Sequence, residues 1–505
     1  MKKKIFLIEL VIIVLLVIIT KGFCCTSGAA IQVNGYRTTF DGRLLAWHNC
    51  GGGDVFRDVT VLKLTTGGYA RIGMSPQWFF KGTEIEKGLN ETGFSQALVN
   101  GLGGKGSTWY KKLLRDALKQ CKTPAEFEDL LKERLKLPDA KNTHAIMAMD
   151  TKTAVNFEIL TPNYYMYDAL NKTRQANQFP PPYTFVAKSN APFRNKNHCE
   201  PQSTVNTWSE NNRVRYNRVV KLMKQYIDDD DKLTPWECIK IARWGNIHHD
   251  EHVFMGESFA HLILGVNKGE DPKYATMIGC TGTPDFGFYI PLWVALDAND
   301  LHSCLTTSAK EPTSHKYYNF RFYNNIARNL PKSEEYDNYI NKHHENVQIN
   351  ILNGVIEARE HWFSGNRTDS NFRHEIFALH DGSAKAAFNS LKSSYNTMGS
   401  SPFKSCNKAP EFNSFNISSN NLNVSLSATF NETCTEAYAL WGDSSTWSSD
   451  LLKSNSKSLS ATHKYSSTGW KQVCLLIYDN ASTKAANVRF GWIKVGADNT
   501  PPAKP

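Results

Sequence analysis

Hydrophobic and polar positions change their period along the chain. From Ala29 to Leu64 they alternate, as in DVTVLKLTT, which predicts strands, with Phe40-Asp41-Gly42 as a turn between two of them. Ser107 to Leu135 has a helical period. The second of two predicted helices there opens on Thr123-Pro124-Ala125-Glu126, with Thr as cap, Pro at the first position and Glu closing a capping box. HAIMAMDTKTAVNFEI reads as a hairpin that turns at Asp150 to Thr153. A helix is expected near 214–227, and Thr234-Pro235-Trp236-Glu237 caps another. Residues 253–296 read as strand-rich and 333–397 as helical. Strands, helices and strands again predict an α+β layered domain of about 370 residues.

Near Ser400 the composition shifts. Residues 401–496 are rich in Ser, Asn and Thr, and break into short alternating strands such as NVSLSATF, KQVCLLIYD and VRFGWIKVG, which predicts a small all-β sandwich. ALWGDSSTW after SATF resembles PKD and immunoglobulin-like domains. Modules of that kind bind surfaces or act as spacers, so the resemblance implies a membrane-surface or glycan contact through the sandwich. Cys434 and Cys474 fall on two of its predicted strands, where a bridge between sheets is an option. The break also implies a module that can be removed without loss of upstream chemistry. Residues 497–505 read as a disordered tail.

The first 24 residues have the parts of a secretory signal: Lys2 to Lys4, the apolar run Leu10 to Ile19, then Gly22-Phe23-Cys24 as a small-x-small cleavage site. The expected location is therefore secreted or lysosomal, in an extracytoplasmic lumen. A retained anchor is the alternative, since Ile5 to Ile8 extends the run beyond Glu9. Bulky Phe23 argues against a lipid-modified cysteine. The leader holds Lys2, Lys3, Lys4 and Lys21 against Glu9, so the formal charge of +10 becomes +7 without it. No basic run or aromatic-basic interleaving accompanies that charge, which excludes nucleic acid as the expected partner. Asn-x-Ser/Thr sequons at Asn90, Asn171, Asn366, Asn416, Asn423, Asn431 and Asn480 are potential glycan sites on exposed loops. Of 11 cysteines, ten remain after cleavage, and export makes disulfides plausible among them.

Cleavage after Cys24 would make Cys25 the first residue. Its α-amine, titrating near 8, then stands beside a thiol whose ordinary value is near 8.5, and can take the thiol proton. This is the layout of an N-terminal nucleophile. CTSG with DGRLLAWHN, then GLNETGFSQALVNG, AKSNAPF and VRYNRVVKLM, resembles in order the cysteine N-terminal nucleophile hydrolases: choloylglycine hydrolases, penicillin acylases, acid ceramidase-like amidases and the acyl-CoA:6-aminopenicillanate acyltransferases. The resemblance runs from Cys25 to about Leu296. It implies a four-layer αββα fold, Cys25 as nucleophile, Asn190 and Asn100 as oxyanion donors or substrate orienters, and Arg215 as the support of the nucleophile. From the residues alone, Asn190 before Ala-Pro and Asn100 in VNGLGG also suit turns. Arg215 shares its helix with Arg213 and Arg218, where a solvated basic face is the default.

One departure concerns the string after the DG turn. Relatives carry Arg-Asn-x-Asp there; this chain has His48-Asn49-Cys50-Gly51, with Asp54 as the nearest carboxylate. His48 and Asn49 are similar to the phospholipase B-like and autoproteolytic acyltransferase branches. His248, His249, Asp250 and His252 lack HExxH spacing and read as a polar loop. Cys280 beside an apolar strand reads as a structural cysteine. The glycines at 51–53 and GLGGKGS read as loops, without P-loop context. The expectation is a self-maturing hydrolase of linear amides, acting on a small-molecule N-acyl amide or lipid through a thioester, or transferring the acyl group. It needs no cofactor and no metal. The rivals are a lipid acyl-ester hydrolase and a non-enzymatic surface or adhesion protein with a degenerate hydrolase domain.

Overall fold

A computed structural model describes residues 24–31, 39–51, 59–76, 83–99, 109–140, 143–169, 185–189, 210–230, 232–243, 258–282, 284, 287–306, 344–364, 371–397, 407–448 and 455–496. Two antiparallel sheets form its centre. The seven-stranded sheet is a meander of β3 (Val59–Leu64), β4 (Arg71–Pro76), β5 (Lys87–Asn90), β6 (Ser95–Val99), β7 (Thr143–Met149), β8 (Ala154–Leu160) and β9 (Asn163–Asp168), in that order. The six-stranded sheet has the order β10-β1-β2-β11-β12-β13, made of β10 (Phe185–Ser189), β1 (Cys24–Ala30), β2 (Leu45–Gly51), β11 (Ser258–Leu264), β12 (Thr276–Cys280) and β13 (Ile290–Leu292).

The sheets pack face to face. Ala29, Ala46, Ile263 and Met277 of one share a core with Val61, Met74, Leu89 and Met147 of the other. On the outer side of the seven-stranded sheet lie α1 (Trp109–Gln120) and α2 (Pro124–Leu135), where Leu113, Leu114, Leu118, Phe127 and Leu131 meet Ile146, Phe157 and Ile159. On the other side, α3 (Glu210–Asp230) crosses β1 and β10, and α4 (Pro235–Arg243) crosses β2 and β11. Helices, two sheets and helices make the expected αββα order. Next come a short α5 (Ser303–Thr306) and two long helices, α6 (Glu345–Phe363) and α7 (Phe372–Thr397).

The local signals hold, with one refinement. Thr123 Oγ1 accepts from the Glu126 amide at 3.2 Å, but the Glu126 carboxylate accepts from Lys122, one residue ahead of the cap. At α4 the box is reciprocal: Thr234 Oγ1 accepts from the Glu237 amide and Glu237 accepts from the Thr234 amide. Asp150 closes its hairpin by accepting from the amides of Lys152 and Thr153. Buried Arg359 of α6 donates to the carbonyls of Leu264 and Tyr274 and to Asp41, pinning the Phe40-Asp41-Gly42 turn.

The C-terminal region is a curled sheet: β14 (Phe412–Asn420), β15 (Asn423–Leu440), β16 (Ser456–Lys464), β17 (Gly469–Asp479) and β18 (Ala486–Val495). The long β15 serves both leaves. It pairs with β14 and β16 through its first half and with β17 through its second, and its register shifts between Thr429 and Cys434. Val424, Leu426, Phe430, Val473 and Leu475 fill the space inside. Cys434 and Cys474 do not bridge the leaves. They are free thiols on adjacent strands, Cys434 opposite Asp479 and Cys474 opposite Leu440, and they face different cores.

This module is packed, not tethered. Leu476, Val488 and Phe490 belong to the main core through α6 and α7. Gly354, inside α6, explains the close approach: a Cβ there would lie 2.2 Å from Phe490 Cδ2. A helix interior otherwise disfavours glycine by roughly 1 kcal/mol. The sequons also divide. Asn416, Asn423, Asn431 and Asn480 are exposed on this module. Asn90 is not a glycan site of the folded chain. It is buried, and its amide donates to Leu118 and Cys121 carbonyls while its oxygen accepts from Thr92 and Phe94. Asn171, Asn366 and both chain termini lie outside the described residues. Among the described residues, no helix is long and apolar enough to cross a membrane.

Candidate active site

Strand register places the candidate residues in rows. One row runs Cys25–Cys50–Phe259 across β1, β2 and β11. The next runs Lys188–Ser27–His48–His261–Gly279 across five strands. Alternation along a strand puts both rows on one face. That face is the one turned to the other sheet, because Lys188 Nζ reaches Glu158 Oε1 of β8 at 2.7 Å, with both side chains buried.

Cys25 is buried, and its Sγ lies 3.4 Å from Cys50 Sγ. Its carbonyl accepts from Arg215 Nη1 at 3.0 Å, while Asn212 Oδ1 holds the other guanidinium nitrogen. Of the three arginines on that helix turn, Arg215 is buried and Arg213 and Arg218 are partly exposed. The solvated-face alternative therefore fails for Arg215. Its guanidinium fixes the backbone that carries Cys25.

Asn49 requires a correction. Its parity is opposite to that of Cys50, so it points to the helix side, where Nδ2 donates to the Ala242 carbonyl of α4 at 2.8 Å. It anchors a helix and does not meet the thiol. His48 is on the thiol's face, one row away, stacked on His261 with centroids 5.4 Å apart. Cys280 is buried at the end of β12 with its thiol toward the Gly282 carbonyl, as a structural cysteine should be. Asn100, Asn190, Asp54, the glycine loop at 101–107 and the cluster at 248–252 lie outside the described residues. Among the described residues no group of three or more His, Cys, Asp or Glu side chains is arranged to hold a metal ion.

The facing sheet contributes charged residues that the motif reading missed. Lys87, fully buried, places its ammonium 4.4 Å from the Phe259 ring centroid, over the cysteine row. Glu86 Oε1 stands 3.5 Å from it. Thus a cation and a carboxylate reach the thiol row from β5 and its leading residue, in a chain that lacks the Arg and Asp of the 48–51 string. Burial disfavours the Lys87 ammonium, but Cys50, Glu86 and Cys25 outweigh it and hold its pKa above the ordinary lysine value. Burial, aided by Cys25, pushes the Cys50 thiol well up. Burial, then Lys87 and His261, hold His48 well below the ordinary imidazole value; burial and Lys87 bring His261 down to about 3. Both imidazoles are neutral at neutral pH.

A sequence signal for these residues existed. His261 interrupts the apolar run FAHLIL, and parity from Cys25 marks Ser27, Cys50 and His48. Lys87 and Glu86 carry no such mark, because only the packing of the two sheets brings them to the thiols. A cavity of about 270 Å³ lined by Thr123, Pro124, Asp150, Val155 and Phe157 lies on the outer face of the seven-stranded sheet, away from Cys25.

No family model matches the chain, and no curated protein matches it. Among solved structures, it is similar to an N-acylethanolamine-hydrolysing acid amidase orthologue from Caenorhabditis elegans. The identity is 13%, the match covers 48% of this chain and 92% of that one, and the TM-score is 0.33.

Proposed function

We propose that this chain is an exported, self-maturing cysteine hydrolase of linear amide bonds, with Cys25 as nucleophile. The observation that carries the reading is the setting of Cys25: near the start of an inner strand of an αββα fold, its carbonyl gripped by buried Arg215. Removal of residues 1–24 frees the α-amine. The amine accepts the thiol proton, the sulfur attacks the substrate carbonyl, and the amine returns the proton to the leaving nitrogen. Water then opens the thioester, and an amine in its place makes the enzyme an acyltransferase. Asn190 and Asn100 are the proposed donors to the oxyanion, each worth about 100- to 1,000-fold in turnover. His48 on the thiol's face favours a second reading, cleavage of lipid acyl esters of the phospholipase B-like kind. The four exposed sequons and the curled sheet leave membrane or glycan contact as that module's proposed role.

The test is N-terminal analysis of the secreted protein together with Cys25→Ser. The mature chain is expected to begin at Cys25 with a free amine. Cys25→Ser should lose at least about a thousandfold in turnover with an unchanged melt. N-acyl amines and phospholipids assayed side by side separate the two readings. A chain beginning at Cys24, or an active Cys25→Ser, would remove Cys25 from the chemistry.

A further inference from the structure

Cys25 and Cys50 are directly opposed on antiparallel strands, both buried, with sulfurs 3.4 Å apart. Opposed residues in such a pair have Cα atoms roughly 4.5–5.5 Å apart. A disulfide spans about 4.4–6.8 Å between Cα atoms, so closing the sulfurs to about 2.05 Å needs side-chain rotation alone. A second feature points the same way. The Lys87 ammonium is buried over this row, on the Phe259 ring, with the Glu86 carboxylate 3.5 Å away. It lies within electrostatic range of both sulfurs. A buried cation stabilises whichever sulfur gives up its proton, and the thiolate is the form that exchanges with disulfides.

We propose that Cys25 and Cys50 form a reversible disulfide, a thiol modification site addressed by low-molecular-weight disulfides. The thiolate of one cysteine attacks a sulfur of the small disulfide, breaking its S–S bond and releasing one small thiolate. The second cysteine, deprotonated, attacks the mixed disulfide, forms the Cys25–Cys50 bond and releases the other. Two protons and two electrons pass from the protein to the small disulfide, which leaves as two thiols. Any acyl substrate must also reach the Cys25 sulfur, so the path required is the same. The bond itself does not depend on what the protein hydrolyses. Its consequence, loss of turnover in oxidising surroundings and recovery in reducing ones, rests on Cys25 being the nucleophile.

The full chain is incubated with excess oxidised glutathione, quenched with acid and an alkylating agent, and digested without reductant. A Cys25–Cys50 linked peptide is expected, with a loss of turnover of about tenfold or more that dithiothreitol reverses. Cys50→Ser should give no linked peptide and instead collect a glutathione adduct at Cys25. Lys87→Met should form the link about tenfold more slowly at pH 7, with the difference shrinking as rising pH supplies more thiolate; Lys87→Arg should restore the rate. A purely structural lysine would not shift that pH profile. Separate alkylation of both cysteines in treated wild-type protein overturns the proposal. A linked peptide with unchanged turnover keeps the disulfide and overturns Cys25 as nucleophile.

Discussion

Two buried polar layers of this molecule differ in how their polar groups are paired. Between α6, α7 and the C-terminal sheet a connected network is matched, although Ser383 Oγ, Trp492 Nε1 and the Gln472 amide stand outside it. Asn487 Nδ2 donates to Asn346 Oδ1 and the Pro410 carbonyl, Asn350 Nδ2 donates to Asn487 Oδ1, and Arg489 donates to Asn350 Oδ1. Ser390 donates to the Ala486 carbonyl and Trp447 Nε1 to Asp381. Between the two central sheets, Ser27 Oγ, His261 Nδ1 and both amide atoms of Asn156 have no hydrogen-bond partner among the described residues. Each such group destabilises the fold by about 1–3 kcal/mol if it stays unmatched. The paired network is what structure alone selects. The layer that holds Cys25 keeps unmatched polar groups at the expense of stability, which marks it as a place to test for chemistry.

The harshest way to break this contrast is to remove the matched layer. Deleting residues 401–505 strips Leu476, Val488 and Phe490 from the main core and leaves the α6 and α7 network without its partners. The truncated protein is expected to aggregate or to lose its cooperative melt, and activity with it. A soluble truncation that melts like the full chain would show that the layer holds nothing together, as the composition break near Ser400 implied.

A finer test substitutes one asparagine in each layer with leucine. Asn487→Leu abandons four described hydrogen-bond partners and should lower stability by about 1–3 kcal/mol or more. Asn156→Leu abandons none and should leave the melt unchanged or raise it. If the layer around Cys25 serves turnover, Asn156→Leu should reduce activity while Asn487→Leu, scored on the folded fraction, does not. Equal destabilisation by the two substitutions would erase the distinction.

How far the sequence spoke depends on the kind of information each element carries. Period and capping are local, so the Thr123 and Thr234 helix starts and the Asp150 hairpin were legible. Order and spacing singled out Cys25 and Arg215 as a pair, and the guanidinium meets the Cys25 carbonyl. Asn49 was misread because a motif states adjacency and not parity: one step along β2 turns a side chain from the thiol to a helix. Lys87 and Glu86 were invisible because they come from a strand remote in sequence. The bond between the C-terminal module and the rest was hidden for a similar reason. Gly354 and Gly382 lie inside helices, and only the approach of Phe490 and Cys474 shows what they accommodate.

The smallest expected effect is on pH dependence, and two imidazoles of the layer between the sheets contribute to it. An unfolded imidazole titrates near 6.5, whereas His261 folded titrates at about 3 and His48 also well below 6.5. Between those values the unfolded chain binds more protons than the folded one, so stability must fall as pH falls from about 6.5 toward 3. Glu86 opposes this at the upper end. Burial raises its pKa, so the folded state takes up its proton first, which adds stability as pH drops from that raised value to the ordinary carboxylate value of about 4.5. The imidazole decline therefore runs unopposed by Glu86 between about pH 4.5 and 3. Urea midpoints measured across that range should show it, and His261→Asn should flatten part of it by removing one group that the native state cannot protonate. A slope unaltered in His261→Asn would mean that the native state protonates this imidazole readily, and the layer between the sheets would then be as well matched as the one beneath the C-terminal sheet.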